Sequence, residues 1–346
     1  MVAGATTSVR RTTLWLLAGV AFALGAFFLG AFIGPVHLGV LAVLQGTVAH
    51  LFGFHSHLSA TDDAILWEIR LPRVVLGGIV GATLAAAGAA YQGVFRNPLA
   101  DPYLLGAAAG AGLGATLAVV YGPSGGFADD LVPVAAFTGA AFAVVIAYVL
   151  GRSAGAGASA AALVLAGVTV AAFLTAVQTY VQQQNVQTVQ EVYSWLLGRL
   201  ATSGWHQVLI VLPYAVFSWT VILLHRRLLD VLAVGDEEAA ALGVRVARVR
   251  LIVVAAATVG TAAAVAVSGL IGFVGIIVPH TIRLLAGGSY RLLLPLAILI
   301  GGGFLVATDV LARTIISPAE LPIGVVTAFF GAPFFALVLR TSRRGI

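Results

Sequence analysis

The sequence predicts an all-α polytopic membrane protein of about ten transmembrane helices, read as one transmembrane domain over residues 1–346. Three observations lead there. Of the 346 residues, 60% are hydrophobic and only 9% charged, where a soluble domain carries about a quarter charged residues. Mean hydropathy is +1.06, and apolar windows of about twenty residues, the length that crosses a bilayer, follow one another along the chain. These runs are long and rich in Ala and Gly, without the alternation of an outer-membrane barrel.

The first window, 14–34, follows Arg10 and Arg11. The arginine pair imitates a twin-arginine signal, but further spans follow, so the segment reads as an uncleaved first helix. The second, 74–95, has Pro72 in its first turn, where proline is well tolerated, and Gly77 and Gly81 at four-residue spacing. The third, 103–121, repeats that spacing at Gly106, Gly110 and Gly114, which lets helix backbones approach closely in lipid. A loop containing "GPSGG" precedes the fourth, 131–150. Its letters match a serine-hydrolase pattern, but no strand precedes it, and it reads as a turn. The fifth, 161–184, ends in a crowd of amides: Gln178, Gln182, Gln183, Gln184, Asn185 and Gln187. Either some of them face a water-filled path, since amides facing lipid are costly, or the span stops near Tyr180 and they belong to a loop. The remaining windows are 206–225, 250–268, a short one at 273–286, 292–312 and 323–340.

Ten spans put both termini on one side. With that side cytoplasmic, fourteen arginines lie inside and four outside, namely Arg70, Arg73, Arg199 and Arg313, which predicts an N-in, C-in topology. The pI near 10 thus reports orientation and not nucleic-acid binding. The absence of cysteine excludes disulfides, thiolate metal sites and thiol catalysis. All eighteen basic side chains are arginine, so the chain has no lysine for an ATP-binding loop; ATP-driven work would need a second polypeptide. His55 and His57 stand in a loop without further ligands at recognisable spacing, so no metal site is assigned. Acidic residues sit at span ends or in loops. Asp309 is the deepest, which keeps an ion-coupled secondary transporter as the reading of another class. The polar break 229–250 contains "GDEEAAALGV", a short amphipathic helix with acids at its N-terminal end and Gly243 as its stop.

Several stretches together, "RLPRVVLGGIVGATLAAAGAAYQGVFRNPLADPYLLGAAAGAGLGA", "LVLAGV", "WLLGRL", "GDEEAAALGV", "GLIGFVGIIVPHTIRLL" and "ELPIGVVTAFFGAPFFALVL", resemble the permeases of iron-siderophore, haem and vitamin B12 ABC importers, the FecCD-like family. The likeness runs in order from about residue 66 to 340. It implies a type II importer permease in the bacterial cytoplasmic (inner) membrane, paired with a second copy. Two separate ATPase subunits would hold ATP and Mg, and an extracytoplasmic binding protein would deliver the cargo. By this resemblance Gly235, Asp236, Glu237, Glu238, Ala239, Ala240, Ala241 and Leu242 form the coupling helix on the ATPase. Arg70, Arg73 and Arg313 would be outward arginines that pair with acids of the binding protein. Gln182, Gln183 and Trp195 would line the outer path, and the cytoplasmic gate would lie at Ser159, Ala160 and Ala161, although relatives often carry hydroxyl residues there. Arg199 would either contact an anionic chelate or sit at the outer interface. The implied cargo is a ferric siderophore, with haem and cobalamin as alternatives; no catalytic residue and no cofactor of the chain's own are implied.

Overall fold

A computed structural model describes residues 2–36, 38–56, 58–123, 128–153, 160–200 and 204–342. The described residues form fifteen α-helices: α1 (Val2–Phe32), α2 (Val40–Phe52), α3 (Ala60–Ala64), α4 (Leu71–Phe95), α5 (Ala107–Tyr121), α6 (Ala128–Ser153), α7 (Ala160–Gln184), α8 (Val189–Leu196), α9 (His206–Leu224), α10 (Arg226–Leu232), α11 (Asp236–Ala241), α12 (Val246–Ser268), α13 (Val274–Ala286), α14 (Tyr290–Thr314) and α15 (Ile323–Ser342). A π-helical turn, Ile65–Arg70, joins α3 to α4 without a break.

Seven of these segments are long and apolar enough to cross a membrane: 10–32, 60–95, 130–153, 160–184, 206–224, 246–268 and 290–314. The expected windows at 103–121, 273–286 and 323–340 also fall on helices, but on shorter apolar ones. The sequence reading did not anticipate α2. Its 13 residues rise only about 20 Å, too short to register in a twenty-residue window.

Helix α4 is the centre of the molecule. It packs against α14, α12, α13 and α9, and nearly all of its side chains are buried. Its composition allows this. A Cβ at Gly81 would collide with the Gly301 carbonyl, and one at Gly88 with the backbone of Gly275. In the same way Gly110 and Gly114 of α5 abut the carbonyls of Gly139 and Ala135 on α6. The four-residue glycine spacing therefore works as backbone-to-backbone packing, which dispersion rewards where lipid leaves no hydrophobic drive. By contrast α1, α6, α7 and α9 turn large apolar side chains such as Phe142, Leu165, Phe173 and Leu209 outward, as a bilayer-facing surface requires.

Candidate functional site

Candidate site residues gather at the two ends of α4, about 37 Å apart for a helix of 25 residues. Because α4 and α14 run in opposite directions, each end combines the start of one with the close of the other.

At the C-terminal end of α4, Asp236 at the first position of α11 accepts from Arg250 Nη2 at 3.0 Å and lies 3.6 Å from Arg96. These contacts tie α11 to α12 and to the end of α4. Ala239 is fully buried beneath the helix, while Glu237, Ala240, Ala241 and Leu242 face outward, Leu242 with 70% of its surface exposed. Gly235 enters the helix at φ +143°, where a side chain is strained, and a Cβ there would strike Glu238. The helix ends as expected at Gly243 (φ +81°). Val244 N–H donates to Ala239 O and Gly243 N–H to Ala240 O, the paired bonds of a Schellman stop. Nearby, Asp230 accepts from Tyr290 N–H at 2.6 Å, holding α10 on α14. Gln92 donates to Gly275 O and Ala100 O and accepts from Arg283.

In the connection between α4 and α5, outside both helices, Asp101 accepts from Tyr103 N–H at 2.8 Å. Enclosure by the protein pushes its carboxyl up to about 6. A folded pKa above the unfolded one stabilises only while the group is protonated, so this contribution fades as pH rises through about 6. Asp101→Asn keeps the acceptor and removes the charge. The variant is expected to melt roughly 2–4 °C above the parent at pH 7.5, with the gap closing toward pH 4.5. Scanning fluorimetry in detergent checks this, and a gap independent of pH contradicts it.

At the opposite end the three arginines expected to face outward are engaged by the fold itself. Arg70 and Arg313 are buried, 4% and 3% exposed. Arg70 donates to the carbonyls of Ala31, Phe32 and Val36 at 3.2, 3.3 and 2.6 Å, closing the end of α1. Arg313 donates to Gly30 O at 2.8 Å and lies 3.4 Å from Asp309. Arg73 gives Nε and Nη2 to Asp309 (3.0 and 2.8 Å) and Nη1 to Glu320 (2.9 Å). The physical reason is desolvation. A guanidinium at a membrane boundary takes whatever carbonyls and carboxylates the fold supplies, and these lie far away in sequence. Trp67 beside them stacks on His50 and meets Trp205, an aromatic cluster of the kind that sits at a bilayer interface.

A cavity of about 380 Å³ lies at this end, lined by Arg73, Arg199, Tyr193, Ser194, Asp309 and Glu320 among others. It unites Arg73 and Arg199, which the sequence assigned to separate roles. Trp195, expected on the outer path, is 7% exposed and part of the hydrophobic core, because the face of α8 opposite Tyr193 and Ser194 packs inward. On α7, Gln183 is exposed, Gln182 is half-buried and Gln178 is buried against Gly112. Ala160 and Ala161 open α7; Ser159 of the expected gate and His57 lie outside the described residues. His55 is exposed, and among the described residues no group of three or more His, Asp or Glu is placed to hold a metal ion. Gln92 was not singled out from sequence, and Glu320 counted there only as one of the acids at span ends or in loops.

A model of the FecCD transport family matches residues 16–341. The chain is 40% identical over 334 residues to the uncharacterized ABC transporter permease protein YvrB of Bacillus subtilis, covering 94% of this chain and 93% of that one. It is 42% identical to the cobalamin import system permease protein BtuC of Halobacterium salinarum (88% and 81% covered) and 41% identical to the hemin transport system permease protein HmuU of Yersinia pestis (89% and 91% covered). Among solved structures, an inward-facing conformation of a putative metal-chelate type ABC transporter superposes with a TM-score of 0.80 at 28% identity, covering 95% of this chain and 99% of that one.

Proposed function

Because this chain belongs to the FecCD transport family, we propose that it imports a bulky metal chelate, in first place a ferric siderophore, driven by ATP hydrolysis on a separate subunit. It is a multi-pass membrane permease of a metal-chelate, haem and vitamin B12 importer family, and not an enzyme. The observation that carries the proposal is α11. A six-residue helix pinned on one side through Asp236 and Ala239 presents Leu242 and its neighbours to another protein. In a chain without lysine, an outward-pointing knob at the arginine-rich end is what a motor subunit would grip.

On this reading α11 lies in the cytoplasm with both termini on the same side, and the chain sits in the inner membrane. A second copy faces α7, whose exposed apolar stripe of Leu165, Val168 and Phe173 runs toward Gln183. The binding protein approaches the other end, where Arg70 fixes the end of α1 to the start of α4, Arg313 fixes α1 to α14, and Arg73 and Arg199 lie on the cavity. Haem and cobalamin are the alternative cargoes, as the names of two relatives indicate. Ion coupling is disfavoured because Asp309 is neutralised by two arginines and does not stand as a lone protonatable group.

Reconstitution with its ATPase and binding protein in proteoliposomes tests the proposal. ATP-dependent uptake of one labelled cargo among ferric siderophore, haem and cobalamin is the expected result, lost when the binding protein is omitted. Uptake that follows a proton or sodium gradient without ATP would refute it.

A further inference from the structure

The cavity between α8 and residues 320–323 has an uneven polar lining. Arg73 is met by two carboxylates, Asp309 from α14 and Glu320 from the non-helical connection that follows. These acids differ in kind. Asp309 is 2% exposed and also lies against Arg313, whereas Glu320 is 41% exposed and holds Arg73 through a single contact of 2.9 Å. Arg199, on the same cavity, is exposed, and its guanidinium has no hydrogen-bond or ion-pair partner among the described residues. Gln190, Tyr193 and Ser194 of α8 add neutral donors to the wall.

We propose that this cavity binds the carboxylates of an anionic chelate, and that Glu320 already fills one of the two arginine positions such a ligand would use. The proposal rests on the import reading above and names the cargo class for it: a chelate bearing two or more carboxylates. A guanidinium is a rigid fork with five donors matched to carboxylates. Asp309 takes the inner edge of Arg73, and Glu320 takes the outer one. A ligand carboxylate can replace Glu320 there at little net cost, since one carboxylate succeeds another and the displaced one is already partly in water. A second ligand carboxylate then lies on Arg199, which gains its counter-charge. Glu320 is in effect an internal competitor.

The test uses the full chain in lipid nanodiscs and two probes, ferric citrate and haem, with cyanocobalamin as the control because it carries amides in place of carboxylates. Binding is measured by calorimetry for the parent, Arg199→Gln and Glu320→Gln. Arg199→Gln is expected to weaken at least one carboxylate probe about tenfold, the loss of one charge-assisted contact. Glu320→Gln is expected to tighten that same probe about three- to tenfold. Cyanocobalamin responds to neither change. Equal affinities in the three proteins, weaker binding in Glu320→Gln, or no binding of either carboxylate probe to any of them would overturn the site. The same proteins, assembled with ATPase and binding protein, are also assayed for uptake. Intact uptake with unmoved affinities removes the carboxylate site alone, whereas absence of ATP-dependent uptake of every cargo removes the import reading beneath it.

Discussion

Asp309→Asn is expected to destabilise the folded chain by about 3–5 kcal/mol, the cost of removing one partner from a buried ion pair. The exchange keeps shape and volume and deletes only the charge. It leaves Arg73 with Glu320 at the rim as its one carboxylate partner and Arg313 with the Gly30 carbonyl but no carboxylate. Both guanidinium groups, and Arg70 nearby, then share a poorly hydrated region with no buried counter-charge. Glu320→Gln removes a charge from the same arginine, but from a carboxylate that is 41% exposed, and should cost less than about 1 kcal/mol. Unfolding titrations in mixed micelles measure both variants side by side. Equal losses would mean that water reaches Asp309 as freely as it reaches Glu320.

Leu242→Arg is expected to lower ATP-dependent uptake at least about thirtyfold and to abolish co-purification of the ATPase, the effect of spoiling a central interface contact worth about 2 kcal/mol or more. The folded chain should not notice. Leu242 is 70% exposed, follows α11 and precedes the Gly243 stop, so the substitution is a surface change within about 0.5 kcal/mol. Asp236→Asn is the informative companion. It should leave Leu242 in place for contact yet loosen the tie of α11 to Arg250 and Arg96, raising ATP consumed per chelate moved. A Leu242→Arg protein that still assembles and transports would show that the motor grips elsewhere.

Much of this was legible in the sequence because its signals are local. Apolar windows, the acidic start of α11 and the Gly243 stop each depend on residues within a turn or two, and all lie on the helices expected of them. The glycine spacing on α4 and α5 was read as close packing, but the partners Gly301 and Gly139 come from contacts no spacing reveals. Charge pairing was not legible. Arg70, Arg73 and Arg313 look like free outward cations until the fold brings the last carbonyls of α1, Asp309 and Glu320 beside them, up to 283 positions away in the chain. Trp195 shows the same limit on a smaller scale. An eight-residue amphipathic helix has two faces, and only tertiary packing decides that Trp195 takes the inner one while Tyr193 and Ser194 take the cavity.

The glycine contacts of α4 also set the mechanics. With Gly81 seated on Gly301 and Gly88 on Gly275, backbone meets backbone with no side chain between to act as a bearing. Neither rotation nor a one-residue slide is possible without steric collision on two flanks at once. Helix α4 is therefore a stator. On the import reading proposed above, movement imparted at α11 would pass around α4 by way of α7, which packs chiefly on α5 and α6, so restraining α7 should stall uptake where stiffening α4 would change little.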